Sequence, residues 1–161
     1  MIRVAVILIS SKIQSGQNPD ENRKPLERIL TNHQLTLLSY NVVADDRQAI
    51  SRQLVTLCET TAPHIILTLG GTGVRPTDWA PEATRDVIEK EIPGIGEAMR
   101  AESLKKVRTA MLSRGTAGIK GTTLILNLPG SVRGVQENLD MVLPLLEHMV
   151  GKMGSMATPS H

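Results

Sequence analysis

Residues Val4-Ala-Val-Ile-Leu-Ile9 form an unbroken apolar run. That is the pattern of a strand covered on both faces, not of one with a wet side. A strand of this kind needs helices above and below it, which narrows the fold before any motif is read. The chain supplies them. After the polar loop Ser10–Asn22, Leu26, Ile29 and Leu30 share one side of a predicted helix. Leu35–Val43 reads as a second strand. Asp45 or Asp46 can cap a helix with Ile50, Leu54, Leu57 and Cys58 at helical spacing. His64–Leu69 is a third strand, and it runs directly into Gly70-Gly-Thr-Gly73.

Pro81 fits the first turn of a helix reaching about Lys90, with Glu82 favourable near its positive end. Ile92–Gly96 reads as a break and Glu97–Lys106 as helix. Thr123–Asn127 is a further strand. Ser131 caps a final helix striped by Val135, Leu139, Val142, Leu146 and Val150, which Pro144 is expected to kink or interrupt. The alternation predicts an α/β three-layer sandwich with a mostly parallel central sheet. A length of 161 residues suits one domain, placed at 1–153, with 154–161 read as a mobile tail.

Composition removes several functions. Tyr40 and Trp79 are the only aromatic residues, so the stacking platforms of single-strand nucleic-acid binders are missing. A net charge of +2 with interspersed signs offers no basic face for DNA. Cys58 is the lone cysteine and reads as a core residue, while His33, His64, His148 and His161 have no zinc-ligand spacing. The run Val4–Ile9 is too short to span a membrane and no cleavage site follows it, so a cytoplasmic protein is expected by default.

Ligands of parallel sheets bind beyond the carboxyl ends of the strands. That rule selects Ser10–Gly16, Val43–Asp46, Gly70–Asp78 and Asn127–Ser131, which should converge on one site. In Gly70-Gly-Thr-Gly73 the glycines let the backbone approach a phosphate, and Thr72 adds a hydroxyl donor. The same glycines would also serve a plain strand-to-helix turn. It is neither a Walker loop nor a dinucleotide fingerprint. Asn127-Leu-Pro-Gly-Ser131 ends in a helix start, which is either an anion site or simply a good N-cap. Asp45 and Asp78 would repel a phosphate unless a divalent ion lay between, as Mg²⁺ does between carboxylates and substrate phosphates. Capping is the plainer role for them, and the preferred one for Asp46. Ser10-Ser-Lys12 has no activating His or acid nearby and reads as a ligand-binding loop.

In order and spacing these segments resemble the molybdopterin adenylyltransferase family of MoaB/Mog type, from Val4 to about Val150. The parts that carry the likeness are Ser10-Ser-Lys12 with Gly16 and Asp20, Val43-Ala-Asp45, Thr68-Leu-Gly-Gly-Thr-Gly73, Asp78-Trp-Ala-Pro-Glu-Ala-Thr84, Ile92-Pro-Gly-Ile-Gly-Glu-Ala-Met-Arg100, Leu112-Ser-Arg114 with Ala117-Gly118, and Asn127-Leu-Pro-Gly-Ser131. The resemblance implies a molybdopterin-binding-domain-like fold and a homotrimer. It also implies transfer of AMP from Mg-ATP to the terminal phosphate of molybdopterin, with release of pyrophosphate and hand-over to a molybdenum-insertion protein. Asp45 and Asp78 then match the family's catalytic, Mg²⁺-holding aspartates. Ser10, Gly70, Gly71, Thr72, Gly73, Glu82, Ser113, Asn127, Pro129, Gly130 and Ser131 match its substrate-binding positions.

The chain departs from that pattern in places. Ser11 stands where aspartate is usual, Thr77 where arginine is usual, and Ala80 where threonine is usual. Arg23 replaces a common glycine, and Val132 a common proline. With an altered polar lining, a non-catalytic pterin- or nucleotide-binding paralogue is the second expectation.

Overall fold

The computed structural model describes residues 1–157, with side chains described as far as Met153. Its elements in chain order are β1 (Arg3–Ile9), α1 (Ser11–Gln14), α2 (Arg23–Asn32), β2 (Thr36–Val43), α3 (Arg47–Thr60), β3 (Ile65–Leu69), α4 (Ala80–Arg85), β4 (Lys90–Glu91), α5 (Pro93–Leu104), a 3-10 turn (Arg108–Leu112), β5 (Ala117–Lys120), β6 (Thr123–Leu128) and α6 (Val132–Ala157). The strands form one sheet in the order β2-β1-β3-β6-β5-β4. The first four in that order are parallel, and β5 and β4 close the far edge antiparallel. The predicted α/β sandwich with a mostly parallel sheet is what the chain adopts.

The opening apolar run shows why. Successive strand side chains point to opposite faces. Val4, Val6 and Leu8 enter a core shared with Leu26 and Leu30 of α2 and Leu139 and Leu146 of α6. Ala5, Ile7 and Ile9 enter a second core with Ile50 and Leu54 of α3 and Ala80 and Ala83 of α4. Burying each large aliphatic side chain contributes about 1.5–3 kcal/mol, so neither face can be left to solvent. Cys58 lies half-buried at the margin of the second core, where burial pushes its thiol up.

Four local readings are corrected. The segment Ile92–Gly96 is not a break but the start of α5, because Pro93 opens the helix where its missing N–H is not needed. The helix begun at Ala80 stops at Arg85, well short of Lys90, and Lys90 instead pairs with Ile119. The antiparallel β4–β5 edge was not anticipated, since its strands are 2 and 4 residues long and show no period. Pro144 does not interrupt α6. It lies on the exposed side between buried Val142 and Leu146, so the backbone bond it removes is lost to water rather than in the core. The tail expected over 154–161 overlaps the last helical residues, and from 158 onward it lies outside the described residues. Among the described residues no helix is long and apolar enough to cross a membrane.

Candidate functional site

Parallel register brings the selected loops to one end of the sheet. Ile9 is level with Val43, and Leu69 with Leu128. Ser10 N donates to Val43 O at 2.9 Å, and Gly70 N to Leu128 O at 3.1 Å, so the pairing continues one step past the strands. The four loops converge as the sheet rule requires. They enclose two cavities instead of one, divided by the Gly70–Gly73 and Pro129–Ser131 turns.

The first cavity, about 560 Å³, is lined by Ser10, Lys12, Asp45, Gly70, Gly71, Arg75, Thr77, Asp78 and Gly130. Gly70 and Gly71 hold φ of +96° and +70°, a left-handed stretch that L side chains resist. Asp45 Oδ2 accepts from Ser11 N at 2.9 Å, while Asp45 N donates to Ser11 Oγ at 2.8 Å. The serine found in place of a carboxylate thus accepts the bond that fixes the Asp45 backbone. Asp78 Oδ2 accepts from Arg75 N at 2.9 Å. Ser10 caps the short α1, its Oγ accepting from Ile13 N. Asp46 caps α3, as preferred from sequence.

Each aspartate commits one oxygen to a backbone N–H, and among the described residues its other oxygen has no protein partner. No group of three or more His, Cys, Asp or Glu is poised for a metal among them. A pair of carboxylates without a full protein cage suits Mg²⁺, which is held by one or two carboxylates together with substrate phosphates. Asp45 and Asp78 would hold it.

The second cavity, about 530 Å³, is lined by Thr72, Ser113, Asn127, Pro129 and Ser131 on the loop side, and by Met99, Arg100, Val107 and Glu137 from α5, the following turn and α6. Its cations are engaged: Arg100 donates to Gly115 O at 2.8 Å, and Lys106 and Arg133 both reach Glu137. Ser131 Oγ accepts from Gly134 N, the expected N-cap. The sequence signalled only the loop side. The opposite wall depends on α5, which starts at Pro93, on the turn after it and on α6, none of them a strand-end loop.

Two residues act differently from their reading. Arg114, named from sequence only as the end of Leu112-Ser-Arg114 and given no role, donates from Nε to Gly73 O at 2.7 Å, from Nη2 to Asp78 O at 2.9 Å and from Nη1 to Glu82 Oε2 at 2.6 Å. Its own N–H donates to Thr72 O at 2.7 Å. One side chain therefore pins both ends of the Gly73–Asp78 segment, which lines the first cavity. The sequence signals were its place in Leu112-Ser-Arg114 and in the Gly-rich stretch that follows. Glu82 is consequently an anchor for Arg114. Burial alone would push its carboxyl up, but the Arg114 bond, a backbone hydrogen bond and the charges of Arg114 and Arg85 outweigh it and hold the group below the usual glutamate range.

Asn127 is 1% exposed, and its polar atoms serve the frame. Nδ2 donates to Thr68 Oγ1 and Thr84 Oγ1, both at 2.9 Å, and Oδ1 accepts from Thr116 N. Ala80, in place of the usual threonine, is fully buried, and its N donates to Gly71 O at 3.0 Å.

A family model described as a probable molybdopterin binding domain matches residues 5–148. The chain belongs to that family. Among proteins of the molybdopterin-binding family, the molybdopterin adenylyltransferase of Helicobacter pylori is 38% identical over 151 residues, covering 92% of this chain and 86% of that protein. The Escherichia coli protein of the same name is 38% identical over 143 residues, covering 88% and 73%. The crystal structure of the molybdopterin biosynthesis enzyme MoaB from Thermus thermophilus superposes with a TM-score of 0.87 at 39% identity, over 95% of this chain and 96% of that one.

Proposed function

We propose that this protein is a molybdopterin adenylyltransferase of molybdenum cofactor biosynthesis. One observation carries the reading: two glycine-bearing turns and two aspartates at the strand ends separate and line a pair of adjacent cavities, room for two substrates meeting at a phosphate. The relatives bearing that name, at 38% identity over most of the chain, support it.

In the reaction a terminal phosphate oxygen of molybdopterin attacks the α-phosphorus of ATP. A new O–P bond forms, the bond from the α-phosphorus to the bridging oxygen breaks, and its electron pair leaves on pyrophosphate. The nucleophile is already an anion, so the protein supplies no covalent residue. The tasks left to it are in-line positioning and charge control. Gly71, Thr72 and Gly73 present backbone amides and a hydroxyl between the cavities, Gly70 supplies the left-handed turn while its N–H stays bonded to Leu128 O, and Pro129–Ser131 forms the facing turn. Asp45 and Asp78 would hold Mg²⁺, which would supply charge neutralisation on the phosphates. The Arg114 clamp keeps Asp78 in place. By the same family likeness the protein works as a cytoplasmic homotrimer and passes adenylylated pterin to a molybdenum-insertion protein.

The test is pyrophosphate release on mixing protein, molybdopterin, ATP and Mg²⁺. Asp78→Asn should lower the rate by about a hundredfold or more, in the range of losing one electrostatic element of a transition-state site. No release by the unaltered protein, beside an active relative, would remove the assignment.

A further inference from the structure

We infer that Lys12 and Arg75 form a two-cation grip for the diphosphate end of the nucleotide, holding it in the aspartate cavity until it leaves. The identity of the leaving group rests on the adenylyl-transfer reading; the grip itself rests on charge and geometry. Lys12, Arg75, Asp45 and Asp78 line one cavity of about 560 Å³. Among the described residues neither cationic side chain makes a hydrogen bond or ion pair, and neither carboxylate is paired with a cation. Four charges thus share a concave site without neutralising one another.

Several such groups elsewhere in the molecule are paired. Arg47 meets Asp86 at 2.7 Å, Arg85 meets Glu91 at 2.9 Å, and the second cavity's Arg133 and Lys106 both meet Glu137. The positive charge left open toward a cavity at the loop junction is therefore on the aspartate side. The chain also ties each cation to one aspartate. Arg75 N–H caps Asp78, and Lys12 follows Ser11, whose N–H caps Asp45. One turn sets Arg75 beside Asp78, and the paired Ser11–Asp45 bonds hold the Lys12 loop against the Asp45 loop, so the backbone at each cation is fixed relative to its carboxylate.

A ligand for this arrangement must accept hydrogen bonds from a lysine point charge and an arginine fork, and must also offer anionic oxygens to a divalent ion that would screen it from the two carboxylates. A diphosphate meets those demands, whereas the single phosphate of AMP leaves a cation without a partner.

Titration calorimetry with inorganic pyrophosphate and Mg²⁺ tests the grip on the whole chain. Lys12→Ala and Arg75→Ala should each weaken pyrophosphate binding about tenfold or more, in line with losing a charge-assisted hydrogen bond. AMP affinity should stay within about twofold, and Lys90→Ala, on the far edge strand, should alter neither. Both cavity residues are exposed, so the thermal midpoint reports whether the fold is intact. A double variant that binds pyrophosphate like the unaltered protein, or loses AMP equally, would overturn the proposal, as would an unaltered protein that binds no pyrophosphate. If pyrophosphate binds through the two cations yet no AMP reaches molybdopterin, the grip stands and the adenylyl-transfer reading fails. Transfer with unchanged pyrophosphate affinity in the variants gives the converse.

Discussion

Arg114 reaches Glu82 at 2.6 Å, and the same guanidinium holds the carbonyls of Gly73 and Asp78. The pair is partly shielded, with side-chain exposures of 37% and 23%. It therefore belongs between the surface ion pairs that contribute little and the buried ones whose rupture is severe. Its consequence is positional, because the two carbonyls bracket the segment that carries Asp78.

Removing the clamp should loosen that segment before it unfolds the protein. Arg114→Ala should lower stability by about 2 kcal/mol, read from chemical denaturation, and AMP transfer by more than tenfold. Arg114→Lys should recover part of the stability but little of the activity, since an ammonium cannot span three acceptors with a fixed fork. Equal recovery of both would show that charge alone matters.

The depressed Glu82 carboxyl makes this clamp pH-dependent. A group held lower in the folded state stabilises that state fully above its unfolded value, near about 4.3 for glutamate, and loses the contribution as pH falls through the folded value. Thermal midpoints of the unaltered protein and Glu82→Gln should therefore differ at neutral pH and converge on acidification below that value. A gap that persists into strong acid would contradict the assignment.

Asn127 should behave as a structural residue. Asn127→Ala strands Thr116 N–H in the interior and unpairs Thr68 and Thr84, at a cost of about 2–3 kcal/mol. Urea unfolding measures it. A loss below about 0.5 kcal/mol would mean that water replaces the amide.

Gly16 and Gly71 separate backbone strain from crowding. Both have positive φ, +84° and +70°, but an added methyl meets open space at Gly16 and the Ala80 side chain, 3.2 Å away, at Gly71. Gly16→Ala should cost about 1 kcal/mol from the left-handed conformation alone. Gly71→Ala should cost more and also weaken pyrophosphate binding. Equal stability losses would mean that the Ala80 contact relaxes freely.

The site was half legible in advance. Strand-end loops follow from a local rule, so Asp45, Gly70–Gly73 and Asn127–Ser131 stood out before any coordinates. The clamp made by Arg114 did not, because its three acceptors lie 32 to 41 residues away in the chain. The far wall of the second cavity, with Met99, Val107 and Glu137, stands on α5, the turn after it and α6, so a rule about strand-end loops could not reveal it.

What the amino-acid sequence by itself determined was the doubly covered strand Val4–Ile9, the helices that cover it, and the end of the sheet where a ligand must bind. These depend on alternation and spacing within single segments, which short-range geometry converts directly into faces. Tertiary structure alone decided that the loops enclose two cavities, that Asn127 and Glu82 serve the frame, and that Lys12 and Arg75 stay unpaired beside two aspartates. Those outcomes depend on which distant backbone groups arrive within 3 Å of a side chain, and no local pattern encodes that meeting.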